Sequence, residues 1–188
     1  DMDEAFLDLV ESYSGNRDDK RLQDMVLSLY DFVKSHPWPE KWLYNHSQDF
    51  AISKDKSLED TPWGREVLGG LRMEAEGLID AMKKAIRIIE SDEGLMPYFK
   101  NYEEEYISLC RLLKTFDLGW EALYKELDNI DFKRLPGFKK GASIEKKDQV
   151  QGIRNKAKDY IKNLRQGFFS VSPHEMIENL NELYPMMK

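Results

Sequence analysis

Residues 6–43 read FLDLVESYSGNRDDKRLQDMVLSLYDFVKSHPWPEKWL, and this stretch decides the fold. Phe6, Leu9, Val10 and Tyr13 recur at helical spacing and make one face of a short helix. Gly15 and Asn16 end it, and Asp18-Asp19 supply the acidic residues that favour the start of the next helix. Leu22, Met25, Val26, Leu29, Phe32 and Val33 then follow an i, i+3, i+4, i+7 stripe, the mark of an amphipathic helix. Pro37 halts it, because the residue before a proline is pushed out of the helical region. Pro39 suits the first position of a further short helix.

The rest of the chain keeps the same period. Residues 47–60 are polar and weakly patterned, which predicts a loop or a frayed helix. Thr61-Pro62 looks like an N-cap followed by a first-turn proline. A helix of roughly 28 residues should run from there to Glu90, through Val67, Leu71, Ala75, Leu78, Ile79, Met82, Ile86 and Ile89, with Gly69-Gly70 as its weak point. Residues 91–94 make a turn. The next helix, 96–114, carries Tyr98, Phe99, Tyr102 and Tyr106 toward the long one. A short helix over 118–127, a connection rich in Gly, Pro and Lys over 129–148, and a helix over 149–169 follow. Ser172-Pro173 caps the last helix. No stretch shows the sustained alternation of a half-buried strand. The expected fold is all-α: an elongated bundle or arm of about seven helices, one domain over 1–188, with a basic loop at 129–148.

Composition sets limits on the class. Of 188 residues 41% are hydrophobic and 34% charged, and the mean hydropathy is −0.65, so a real core sits beneath a large polar surface. No apolar run reaches the roughly 18 residues a membrane span needs. The one cysteine, Cys110, excludes an internal disulfide framework, fits a reducing cytosol, and reads as a small core residue within YISLCRLL. The abrupt first and last residues suggest a segment of something longer.

Net charge is −7, yet it is unevenly spread. Residues 133–165 hold 11 basic and 3 acidic side chains, a net of +8, so the remaining residues carry −15. The basic residues Lys133, Arg134, Lys139, Lys140, Lys146 and Lys147 come as doublets in the connection. On the helix that follows, Arg154, Lys158, Lys162 and Arg165 fall at i, i+4, i+8 and i+11 and should share one face. Like charges so spaced repel, and a phosphate backbone would relieve the repulsion while releasing counterions. These ten residues are the candidate nucleic-acid contacts. A solvated helix face, or a face docking on an acidic protein, is the alternative.

Other chemistry finds little support. The sequence has no G-x-x-x-x-G-K-[ST] phosphate loop. His36, His46 and His174 stand far apart, without ligand spacing. The acidic clusters Asp1-Asp3-Glu4, Asp92-Glu93 and Glu103-Glu104-Glu105 read as solvated helix ends and faces, since a two-metal nuclease sets its carboxylates on strand ends. Trp38 and Trp42 are expected to anchor a core beside their prolines, and Trp63 to be the most open of the four tryptophans.

The opening block resembles one family closely, the AddA subunit of the bacterial AddAB helicase-nuclease. There a similar LVxxYSG…D…L…ILxLYxFxxSxPWPxxWL run opens an inserted helical domain of the motor. The basic stretch ending IRNKAKDYIKNLRQGFF resembles the Lys/Arg-rich helix late in the same insertion, called the 1B domain in UvrD-like superfamily 1 helicases. The middle of the chain, about 47–130, shares only helical character. The resemblance implies a non-catalytic accessory domain that touches duplex phosphates ahead of the fork. It implies a parent that is a cytoplasmic ATP-dependent 3′–5′ DNA helicase with an exonuclease, using ATP and Mg. That parent would pair with an AddB-type partner in double-strand break repair and recombination; the alternative is a protein-interaction module that docks on that partner or on the parent's other domains without touching DNA. No family catalytic residue falls within these 188 residues, and no cofactor is expected in them.

Overall fold

A computed structural model describes residues 20–53 and 55–183. Among them are seven α-helices joined by turns and short 3-10 segments, with no strand. They are α1 (Lys20–Lys34), α2 (Pro39–Ser47), α3 (Pro62–Glu90), α4 (Phe99–Thr115), α5 (Trp120–Leu127), α6 (Ile144–Gln166) and α7 (Pro173–Leu183). The expected all-α class is what the chain adopts. The helix expected over 6–13, its break at Gly15-Asn16 and the acidic Asp18-Asp19 lie outside the described residues.

Contacts divide the chain into two compact units, one holding residues 20–53 and 177–183, the other 55–176. In the first, α1 packs on α2, and Trp42 is held by Phe32 at 5.4 Å, His36 at 4.7 Å and His46 at 4.3 Å between ring centroids. The His36 ring also sits 3.1 Å from the Phe32 carbonyl oxygen, helping to end α1. Asn181 on α7 bridges Ile52 through both main-chain groups, its oxygen accepting from N–H at 3.1 Å and its amide donating to C=O at 2.9 Å. The α1 stripe departs from expectation. Val33 is buried, but Met25, Val26, Leu29 and Phe32 are exposed. Trp38, expected in a core, is 72% exposed, because Pro37 and Pro39 hold it on a corner with nothing described packed over it.

The second unit is built on α3, which packs against both α4 and α6. Its start is set by Thr61, whose hydroxyl accepts from the Gly64 N–H at 3.0 Å and donates to the Leu58 carbonyl at 2.7 Å. Pro62 follows in the first turn, where its missing N–H costs nothing. The helix continues through Gly69-Gly70 without interruption, burying Leu68, Ala75, Ile79, Met82, Ala85 and Ile89 along one face. Tyr102, Leu109 and Leu112 come in from α4, Tyr98 from the 3-10 turn just before it, and Val150, Ala157, Ile161 and Leu164 from α6. At one end Trp120 is almost fully buried against Phe169 (5.2 Å) and Trp63 (6.4 Å). Trp63 is therefore half-buried rather than the most open tryptophan, since α5 brings an aromatic partner onto it.

Because Thr61 is buried and caps the longest helix, Thr61→Ala should cost about 1–2 kcal/mol, whereas Thr61→Ser should recover most of it. Urea unfolding of the three chains measures this, and an alanine variant as stable as the parent would refute the capping role.

Candidate nucleic-acid interface

The site begins with a helix that starts earlier than its spacing suggests. Ser143 caps α6, accepting from the Lys146 N–H at 3.3 Å, so residues 144–148 are helical and Lys146-Lys147 belong to the first turn, not to a loop. Gly167 ends the helix short of Phe169. The connection before it, residues 128–143, is tied to the turn at 91–94 and does not hang free. Lys139 N–H donates to the Gly94 carbonyl at 2.9 Å, and Asp92 accepts from the N–H groups of Ser143 (3.0 Å) and Gly94 (2.9 Å). Gly94 lets Ala142 come close, since a Cβ there would stand 2.5 Å from the Ala142 Cβ. The Ser143 N–H, the Gly94 N–H and nearby Lys146 hold the Asp92 carboxyl below the ordinary carboxylate range, against a smaller opposing effect of burial.

Two arginines fix the earlier part of the connection onto α6. Arg154, 6% exposed, forks onto Glu105 of α4, 4% exposed, with Nε 2.8 Å from Oε2 and Nη2 2.5 Å from Oε1. The same Nη2 donates to the Lys133 carbonyl at 2.5 Å, and the guanidinium lies 5.6 Å from the centre of the Phe132 ring. Burial pushes the Glu105 carboxyl upward, and the Arg154 hydrogen bonds and charge oppose that shift. Farther along α6, Arg165 donates to the carbonyls of Leu127 and Ile130, the latter at 2.6 Å. Arg154 and Arg165 are about 16 Å apart along the helix. Residues 127–133 thus lie antiparallel to α6, pinned at both ends.

The ten expected contact residues are therefore not one surface. Arg154 is a correction: it is not on an exposed face with Lys158 and Lys162, because it sits on the buried stripe Val150, Arg154, Ala157, Ile161, Leu164. Arg165 is half-buried in its carbonyl contacts. Lys146 donates to the Ser91 hydroxyl at 3.0 Å, Lys147 lies 4.8 Å over the Phe138 ring, and Lys133 pairs with Glu104 at 3.1 Å. The side chains of Arg134, Lys139, Lys140, Lys158 and Lys162 are exposed. Of these, Arg134, Lys158 and Lys162 edge two clefts between the pinned connection and α6. One, of about 520 Å³, is lined by Lys133, Arg134, Gln151 and Asn155 among others. The second, of about 550 Å³, includes Lys162, Arg165 and two acids, Asp131 and Asp159. Phe132 and Lys158 line both.

Sequence reasoning missed Glu105, taken with its neighbours as solvated. Glu103 is exposed and Glu104 half-exposed, but Glu105 stands in register with Tyr102, Leu109 and Leu112 on the buried face of α4. An acid and an arginine each placed on an apolar stripe was the available signal. Cys110 is partly exposed and interacts with Tyr106, so it is not a simple core residue. Among the described residues no group of three or more His, Cys, Asp or Glu could hold a metal, and no helix is long and apolar enough to cross a membrane.

Comparison with known proteins gives this all-α segment a family. No family model matches the chain. Curated relatives do, along nearly its whole length, and all three described here are the AddA subunit of an ATP-dependent helicase/nuclease. The chain is 36% identical over 187 residues to the protein of Ruminiclostridium cellulolyticum, 35% over 189 to that of Acetivibrio thermocellus and 38% over 185 to that of a Thermoanaerobacter species. Each match takes in 98% of this chain and 15% of the relative. The chain is thus a homologue of one segment of AddA, the family anticipated from its opening block.

Removing Arg154 strands a buried carboxylate. Arg154→Ala should cost about 3–5 kcal/mol, and the joint change Glu105→Leu with Arg154→Met considerably less. Lys158→Ala should stay within about 0.5 kcal/mol of the parent. Equal stability of Arg154→Ala and Lys158→Ala in urea would show that the pair is not structural. Asp92 makes a second prediction. Its folded pKa is depressed, so its anchoring is complete above the ordinary carboxylate pKa and is lost as pH falls through the lower folded value. Protection of the Ser143 amide from hydrogen exchange, corrected for intrinsic rates, should decline across that acidic window. Asp92→Asn, which keeps one neutral acceptor oxygen, should show protection that does not change across the same window.

Proposed function

We propose that this chain is a non-catalytic helical segment of an ATP-dependent DNA helicase/nuclease, and that its α6 groove holds duplex DNA by the backbone phosphates ahead of the fork. One observation carries the reading: Arg134 on the connection and Lys158 and Lys162 on α6 are exposed where two structural arginines clamp the connection to the helix. Charges in fixed positions can match a phosphate spacing without reading base edges, and contacts of that kind set position, not sequence preference. Lys139 and Lys140 extend the same positive surface. Lys146, Lys147, Arg154 and Arg165 act mainly by holding the surface together, while Lys133, exposed beside Glu104, adds its charge to the first cleft.

The relatives' name supports the wider setting. A parent with helicase and exonuclease activities, working on double-strand breaks in repair and recombination, would bind ATP and Mg in its motor cores. These lie outside a chain that has no phosphate-loop motif. In that setting an AddB-type subunit is the partner and the cytoplasm the compartment. The alternative of a protein-docking module is favoured by a different surface, the exposed apolar side chains of α1 and α2.

The test is Lys158→Glu with Lys162→Glu, leaving both clamping arginines in place. Fluorescence anisotropy with a labelled duplex should show a loss of at least tenfold in affinity at low salt. The slope of log affinity against log salt should fall by about 2, one for each lost phosphate contact. Circular dichroism should show an unchanged helical fold. Unaltered affinity with unaltered salt dependence would overturn the reading.

A further inference from the structure

We propose that the apolar face of α1 and α2 is a docking site for another part of the same longer polypeptide, which presents an apolar surface to it in cis. In the second unit the large apolar side chains of α3, α4 and α6 are buried or half-buried, Met73, Ile107 and Ile144 excepted. In the first, Val26, Leu29, Tyr30, Trp38 and Leu43 are exposed around a cleft of about 670 Å³ in which Val33 is the buried member. Contiguous apolar surface of this kind marks an interaction site. Lys34, Lys41 and Glu40 edge the cleft with charges of both signs, so it lacks the uniform positive field that would draw a nucleic acid.

The occupant follows from connectivity. The stretch that matches this chain is 15% of each relative, so most of the polypeptide there lies outside it and is joined through one of its two ends. The first residues described, from Lys20, and the last, through Asn181, belong to the same unit, and Asn181 is tied to Ile52. Both described ends of the chain therefore lie in the unit that holds the apolar face. Covalent attachment places a flanking segment at an effective concentration of the order of millimolar, above that of most separate partners.

Trp38 is set up for this role. Pro39 restricts the backbone of the residue before it, and Trp38 takes φ −133° and ψ 79°, turning its ring outward between two prolines. An exposed tryptophan whose backbone is already restricted loses less entropy on being covered, and tryptophans of this kind anchor interfaces.

Hydroxyl-radical footprinting of the 188-residue chain and of the full-length polypeptide that contains it tests the proposal. Tyr30, Trp38 and Leu43 should be oxidised several-fold more slowly in the longer polypeptide, independently of its concentration. Met73, exposed on α3, serves as a reference in the second unit, and slow oxidation of buried Trp120 in both samples reports the fold. Fast oxidation of the three residues in both samples would overturn the proposal. Protection that grows with the concentration of the short chain would assign the face to a second copy. Equal protection in both at every concentration would assign it to residues 1–19 of the chain itself. Either result also refutes docking by a segment of the longer polypeptide outside residues 1–188. Duplex affinity measured on the same material is a separate readout, so failure here leaves the phosphate-groove reading standing.

Discussion

A single buried ion pair joins three pieces of the second unit that the chain itself keeps far apart. Glu105 comes from α4, Arg154 from α6, and the Lys133 carbonyl from the connection between α5 and α6. Two charges withdrawn from water gain little net stability, because desolvation consumes most of their attraction. Packed hydrocarbon could fill the same space. It could not donate to the Lys133 carbonyl, and without that bond the connection would lose its hold on this end of α6. What the pair contributes above all is register.

That register governs where positive charge meets solvent. The fork onto Glu105 removes one arginine from the surface, and the carbonyls of Leu127 and Ile130 engage a second. Lys158 stands between these two fixed points, at the shared edge of both clefts. Asp131 and Asp159 in the second cleft temper its field, whereas Lys133 and Arg134 strengthen the first. The more positive end of the groove is therefore the one where the ion pair sets the backbone. Here stability and surface electrostatics share the same residues, which is why charge reversal at Arg154 could not tell one from the other.

Much of the fold was legible because helix signals are local. The Thr61-Pro62 start, the turn at 91–94 and the Ser172-Pro173 cap depend on side chains within a few residues of the bonds they make. The misses share a different cause. Ser143 begins α6 before any apolar residue announces it, since Ile144 is exposed and the first buried position is Val150. Lys146-Lys147 were placed in the loop for that reason. Arg154 was assigned to a charged face by counting charges alone; counting its apolar neighbours at the same spacing places it inside. The tryptophans were judged by adjacent prolines, which fix backbone angles but say nothing of what lies opposite. Trp63 found Trp120 across the fold, and Trp38 faces no described neighbour.

The two units also differ in what sustains them. The second satisfies itself: three helices of 17 to 29 residues meet along apolar faces, and polar termini find partners in Thr61, Asp92 and Ser143. The first has helices of 15 and 9 residues, and Val33 is the buried apolar residue that α1 and α2 contribute. Helices that short are marginal in water without tertiary burial. Segments with few buried apolar contacts open at a small fraction of the global unfolding free energy. The Trp42 cluster and the Asn181 bridge to Ile52 give the unit local order, but they leave its largest apolar surface uncovered. Such a surface gains stability when it is covered, and its proline-set corner is arranged before the partner arrives. The PWPEKW block that first set this sequence apart is therefore better understood as a contact face than as a structural core.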